Sequence, residues 1–495
     1  MSHTTRISLG MCLASCSLML ACKGSTDPSE ARADAIVLLG RQLTLITGDT
    51  TSIGVTMLRG VDVIERTAAT GTGPAWSQEP PTHWSTSDSA ISTVSQGGVV
   101  LARLPGTAWI SVSRGDLKDS TSVSVLARQT FADGVVAVTV GGGHTCALDD
   151  AGLAWCWGSM WNAATGTGLR KRFGLLVSPA PVTSSERFVE ISVGTDHSCA
   201  RSPTGGILCW GDNRFGQVGT AALFEAVPTP IPLPGAAVDV SAGGDATCAL
   251  LQDATVRCWG VGFDRSAVYS TNTADRLVSV SVGARHACAL AESGDLWCWG
   301  DNTNGQLGTG DRQSSTRPVR LATTFRAAQI SAGGDYTCAL DVLGVPWCWG
   351  SGYSGQLGQG EQLVRLAPGQ VTTAVRFSQI SAGGGHTCAL TASGEPYCWG
   401  GNLYGALGLG MPQVADPQSR DLVASTPAKA ATSERYQHIE AGGGTTCAVA
   451  LLSGRLDCWG SNTNGQLGIG QISWFGGVRY SIRHAPTPVV QFRQR

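Results

Sequence analysis

Fourteen cysteines of this chain fall in seven pairs: Cys146 and Cys156, Cys199 and Cys209, Cys248 and Cys258, Cys288 and Cys298, Cys338 and Cys348, Cys388 and Cys398, and Cys447 and Cys458. Two chemistries suit such pairs. Nine residues with a glycine near their middle let Cys146 face Cys156 across a hairpin turn. Opposed residues at a non-hydrogen-bonded site of an antiparallel pair have Cα atoms about 4.5–5.5 Å apart, within reach of a disulfide. All fourteen pair in this way, and an exported chain with paired cysteines reads as disulfides. The seventh pair has one more intervening residue, so its turn at Leu-Leu-Ser-Gly is longer. The competing chemistry is metal. His144, His197, His286 and His386 stand two residues before the first cysteine and share its face of a strand. One imidazole and two thiolates could hold zinc with an open fourth position. Yet Ala246, Tyr336 and Thr445 take the histidine's place in other units while the cysteine pair persists. The histidines are therefore expected to be structural, donating to a neighbouring loop carbonyl, and no metal or cofactor is expected.

Stepping along the chain, the first cysteines are separated by 53, 49, 40, 50, 50 and 59 residues. Seven units of about fifty residues, each built on a hairpin, imply a closed ring of sheets rather than a linear array. Every second cysteine opens Cys-Trp-Gly, which places Trp157, Trp210, Trp259, Trp299, Trp349, Trp399 and Trp459 on the opposite side of the strand from the sulfur. These rings are expected to lie between sheets, where an aromatic buries about 150–250 Å²; a carbohydrate-stacking platform is the alternative. Trp155, Trp161, Trp297, Trp347 and Trp474 break the repeat. Departures from regularity are the better places to seek a binding face.

Five units continue into a short glycine-bearing loop: "NRFGQVG" at 213, "NTNGQLG" at 302, "GYSGQLG" at 352, "NLYGALG" at 402 and "NTNGQLG" at 462. With the preceding "ISAGGDYTCAL" type of segment, these residues resemble the repeat of the regulator of chromosome condensation family across all seven units of 131–495. The resemblance implies a seven-bladed β-propeller. The first unit ("SMWNAATGTG") and the third ("VGFDRSAVYS") depart from the loop pattern, which leaves their loop geometry open. The chain ends on "APTPVVQF", the segment that elsewhere precedes an inner strand. Its last strand is thus expected to join the first hairpin and close the ring with one composite sheet, hiding the edges.

Ahead of the repeats, 35–128 alternates apolar and polar residues in short runs, as antiparallel strands of a sandwich do. The stretch 83–125 resembles the bacterial Ig-like group 2 domain, with Trp84, Ile91, Val94, Val100, Ala108 and Ile110 as core and Gly98 and Gly106 in turns. The fold class is all-β: an Ig-like sandwich followed by a seven-bladed propeller with one disulfide hairpin per blade. At the N-terminus, Arg6 precedes an apolar run from Ile7 to Ala21, too short for an anchor helix and read as a secretory signal peptide over 1–22. "LMLAC" resembles a lipobox with Cys22 as the lipidated residue; "LASC", ending on Cys16, is the alternative, and a cleaved signal without lipid a third reading. The polar segment 23–34 is a flexible tether.

The 495 residues include 66 Gly and 15 Trp with only 14% charged residues, which suits short strands and tight turns. A net charge of -2 without a basic stripe argues against a nucleic-acid partner. Nucleophile-elbow, phosphate-loop and His-Glu-x-x-His motifs are missing, and no carboxylate pair is singled out by spacing. The expected function is that of a non-enzymatic, exported binding, adhesion or scaffold protein of the cell envelope. It would be lipid-anchored to a membrane, or secreted, and its propeller loops would recognise a protein or a glycan. Two alternatives belong to other classes: an enzyme acting on extracellular polysaccharide, and a guanine-nucleotide exchange factor like the eukaryotic relative that acts on Ran.

Overall fold

The structure is a computed structural model, describing residues 35–39, 43–46, 50–59, 62–67, 83–126, 134–168, 174–264, 267–271, 275–410, 423–470, 474–475, 478–479 and 482–489. The signal peptide, Cys16, Cys22 and the tether lie outside the described residues.

Strands between 35 and 126 form three small sheets. Trp84, Val100, Ile110, Val112 and Val123 build their common core, while Ile91 and Val94 are only partly buried against it. Two features differ from expectation. Leu43–Ile46 pairs with Val123–Leu126 in parallel, so the strands are not all antiparallel. Gly98 does turn the chain, at φ +76, but Gly106 opens the strand Gly106–Arg114 instead. Val177, from the first repeat, joins the same core.

Among the described residues of 135–488, seven antiparallel sheets of three or four strands follow one another, beside a small two-stranded pair of Trp474–Phe475 with Val478–Arg479. The first consists of Val135–Val140, His144–Asp149, Ala154–Ser159 and Leu175–Pro181. The seventh consists of Tyr436–Ala441, Thr445–Ala450, Leu456–Ser461 and Ile482–Pro488. The last strand thus pairs with Leu456–Ser461 and not with the first hairpin. Among the described residues no sheet is a composite of the two chain ends, because each repeat contributes its inner strand and cysteine hairpin, and in all but the third its outer strand, in unbroken order. The ring closes through side chains and turns: Gly443 N donates to Gly141 O at 3.1 Å, and His438 Nε2 meets Val138 O at 3.0 Å.

Inner strands such as Leu277–Val282 alternate, with Val280 and Val282 inward. The next strand is buried along its whole length, as in His286–Ala291, because neighbouring sheets cover both faces. Its sequence is accordingly small and apolar rather than alternating. At each seam the cysteine face of one sheet meets the tryptophan face of the next: Cys338, Leu340, Cys348 and Leu357 lie against Ile380, Ala389 and Trp399. All seven repeat tryptophans are 2% exposed or less, which removes them as a stacking platform. The inner strands are laced by serines: Ser192, Ser241, Ser281, Ser331 and Ser381 each accept, through Oγ, a backbone N–H of the following sheet at 2.9–3.0 Å. The seven cysteine pairs are disulfides, each with Cα atoms 4.1 Å apart.

Candidate functional site

The glycine-bearing loops are built to present a backbone carbonyl. In the fourth unit Asn302 Oδ1 accepts from Leu307 N at 2.9 Å, and Gln306 Oε1 accepts from Asn304 N at 2.9 Å. Gly305 and Gly308 take φ +78 and +75, which L residues rarely adopt. The turn so formed directs Gln306 O at the next sheet. There it accepts from Trp349 Nε1 at 2.9 Å and from Thr337 Oγ1 at 2.8 Å. Thr337 Oγ1 in turn lies 2.9 Å from His286 Nε2 of the earlier sheet. His144, His197 and His386 meet Ser198, Thr247 and Thr446 in the same way. The histidines therefore bond hydroxyls of the next sheet, not loop carbonyls as expected; it is the hydroxyl that reaches the carbonyl. The cysteine sulfurs beside them are bonded to each other. Burial holds His144 down to about 3 and the other three to about 4, so all four are neutral.

The two irregular units differ. The first still delivers a carbonyl, Ala164 O, to Trp210 Nε1 at 3.0 Å, through left-handed Asn162 and Ala163. In the third, no described residue delivers one, and Trp299 Nε1 of the next sheet has no hydrogen-bond partner.

These loops leave one end of every hairpin. In each sheet the residue after Cys-Trp-Gly donates its N–H to the carbonyl of the residue three before the first cysteine, as Asp212 does to Asp196 and Asp301 to Arg285, both at 2.9 Å. The two positions thus lie side by side around one face of the ring. Their occupants divide that face. Asp196, Asp212, Asp245, Asp301 and Asp335 line the second to fifth sheets, with Arg214 and Arg285 among them. Burial, then Asp212 and Asp245, pushes Asp196 up to about 6. Burial, then Asp212, raises Asp245; burial, then Asp301, raises Asp335. Asp212 is buried and held by Arg214, Asn162 and Gln217. In the sixth, seventh and first sheets the same positions are Gly385, Gly401, Gly444, Ser461, Gly143 and Ser159. A recess opens there beneath Tyr404, lined by Gly142, Gly443, Thr463 and Asn464. A Cβ on Gly444 would stand 3.1 Å from the Tyr404 ring, so glycine makes its room. Around this face the loop tips expose Phe215, Tyr353, Leu403 and Tyr404, each 44% or more.

No site on this face follows from a motif. Its signal in the sequence is the residue three before each first cysteine, which reads Gly, Asp, Asp, Arg, Asp, Gly, Gly when the repeats are aligned. The irregular tryptophans are poorer guides. Trp155 and Trp347 bond Asp149 and Asp341 within their own hairpins, and Trp297 is buried. Trp161 alone of these lies in a loop of the face; the side chain of Trp474 is outside the description. Among the described residues no group of three or more His, Cys, Asp or Glu is arranged to hold a metal.

Residues 204–250, 293–340 and 344–390 match the Regulator of chromosome condensation (RCC1) repeat, and a second form of that repeat matches 188–217, 237–264, 277–306, 377–406 and 436–466. Among curated proteins, the mitochondrial RCC1 domain-containing protein RUG3 of Arabidopsis thaliana is 36% identical over 98 residues, 20% of this chain and 22% of its own. Human Protein RCC2 is 30% identical over 89 residues, 18% of this chain and 16% of its own. The chain spans under a quarter of the length of these relatives. Among solved structures, human WBSCR16 superposes with a TM-score of 0.59 at 20% identity, covering 68% of this chain and 94% of that one. Prp20p from Saccharomyces cerevisiae gives 0.59 at 20% identity, covering 73% and 87%. Yeast RCC1 (Prp20) bound to Kap60 gives 0.59 at 19%, covering 73% and 84%. At such identities the likeness is one of fold.

Proposed function

We propose that these RCC1 repeats form a seven-bladed, non-catalytic binding propeller whose loop face recognises a protein with a basic surface. The observation behind this is the divided face: five aspartates on one arc, a glycine-lined recess on the other, and exposed aromatic tips around both. Charge complementarity of this kind steers and orients a partner, and aromatic rims supply contact area. Fold likeness fits a binding role: of the similar structures, one holds Kap60 and another was studied for binding to Gsp1p and histones. The seven disulfides favour an oxidising compartment, which supports export of this chain over work on a cytosolic GTPase. In this reading Cys22 carries the lipid and an Ig-like spacer over 35–128 lifts the propeller from the envelope membrane.

The test is cross-linking capture by the full oxidised chain and by an Asp196→Asn, Asp245→Asn, Asp335→Asn variant. A partner with a basic contact surface, lost from the triple variant, is expected. Turnover of any glycan in a panel, or capture indifferent to the three aspartates, would refute the reading.

A further inference from the structure

Three strands ahead of the propeller lie side by side in the order Leu117–Leu126, Gly106–Arg114, His83–Thr86. Successive side chains point to opposite faces of such a sheet. One face carries Trp84, Ile110, Val112 and Val123, all buried. The register sets the residues of the other face in rows: His83, Ser113 and Lys118; then Ser85, Ser111 and Ser120; then Trp109 and Ser122. Rows lie about 7 Å apart along the strands, and neighbours within a row about 5 Å apart.

Trp109, on the central strand of the three, is 53% exposed, and it is the one exposed tryptophan among the described residues. Among those residues no hydrogen bond engages its Nε1 or the Oγ of Ser85, Ser111, Ser113, Ser120 or Ser122. Strand propensity does not account for so much serine, since the residues that favour strands are β-branched and aromatic. A hydroxyl both donates and accepts, which suits a partner that itself presents hydroxyls. An indole adds a broad apolar ring with a polar edge. A protein partner would call for an apolar centre of several side chains, whereas here one ring stands among hydroxyls.

Charge gives the partner a sign. The one carboxylate within these strands, Asp119, turns to the other side, where its Oδ2 accepts from Leu38 N at 2.8 Å; Asp88 and Asp116 lie in turns. His83 and Lys118, both exposed, flank Ser113 at one end of the face, and no ion pair among the described residues engages either. We propose that this face binds an acidic polysaccharide: a sugar ring stacks on Trp109, hydroxyls of the glycan bond the serine rows, and a carboxylate or sulfate group meets Lys118. The site belongs to the N-terminal sheets and does not depend on the loop face of the propeller.

The test is affinity electrophoresis of the full oxidised chain through gels holding polygalacturonate, heparin or neutral dextran. Retardation by at least one of the two acidic polymers is expected, with dextran at least tenfold weaker. Trp109→Ala, outside the core, should weaken binding at least tenfold. Ser111→Val with Ser122→Val, which keeps the strands, should weaken it at least fivefold. Lys118→Gln should narrow the gap between acidic and neutral polymer. Val99→Thr, on a neighbouring sheet, and the Asp196→Asn, Asp245→Asn, Asp335→Asn variant should bind as the parent chain does, which separates this site from the loop face. Failure of both acidic polymers to retard the chain, retardation unchanged by Trp109→Ala, or equal retardation by dextran would overturn the proposal.

Discussion

Trp349 Nε1 and Thr337 Oγ1 share one acceptor, the carbonyl of Gln306, at 2.9 and 2.8 Å across the seam between the fourth and fifth sheets. Trp349→Phe keeps the ring and deletes one donor while Thr337 still satisfies the carbonyl. A loss of about 1 kcal/mol is expected in guanidinium unfolding. Trp299→Phe has no hydrogen bond to lose and should leave stability unchanged or raise it. Equal losses in the two variants would contradict the inter-sheet role of the carbonyl.

Gly308 separates steric from torsional cost. It takes φ +75, and a Cβ there would stand 2.6 Å from Trp349 Nε1. Gly310 takes φ +90 with nothing within 4 Å. Gly310→Ala should cost about 1–2 kcal/mol for the backbone alone. Gly308→Ala should cost clearly more, because the indole must also move. Chemical denaturation of the pair provides the comparison.

Each disulfide closes a short loop, and removing one by Cys338→Ser with Cys348→Ser should cost up to about 3 kcal/mol. Seven such losses will not add simply. The unfolded, unreduced propeller should show no free thiol among its fourteen cysteines, which thiol titration checks directly.

The four buried histidines set a pH dependence. Their folded values of about 3 to 4 lie below the ordinary 6.5, so unfolding takes up protons below pH 6.5. Their contribution is complete above that pH and drains as pH falls toward 4. Glu190, pushed up to about 8 by burial and then by Asp239, and Asp196 at about 6 act in the opposite sense. Their contribution is present at acid pH and lost as pH rises. Asp245, Asp335 and Glu440, raised by burial, act in that sense too, so the histidine part is read by difference: the urea stability of His386→Gln should fall less, or rise more, from pH 7 to pH 5 than that of the parent chain. His386→Gln should reduce proton uptake on unfolding by about one.

Binding at the loop face should follow the ionisation of Asp196. As pH rises through about 6 that carboxyl gains its charge, and capture of a basic partner should strengthen between pH 5 and pH 7.5. Asp196→Asn should flatten the profile over that range. An unchanged profile in the variant would place recognition elsewhere.

What the chain order alone determined is local. Cys146 opposes Cys156 through a ten-residue separation, and a hairpin of that length fixes its own register whatever surrounds it. The side of each strand taken by Trp157 and its counterparts follows from the same period of two, and the seven-unit count from the spacing of cysteines. The tertiary structure decided whatever joins residues far apart. "APTP" can pair at either edge of the opening, and only assembly of the ring assigned Ile482–Pro488 to the seventh sheet. Thr145 finds its acceptor 321 residues away on Gln466, a contact no periodicity encodes. Of the aspartates that crowd Asp196, Asp212 sits across its own hairpin but Asp245 comes from the next sheet, and that repulsion exists only once the ring has brought the two sheets together.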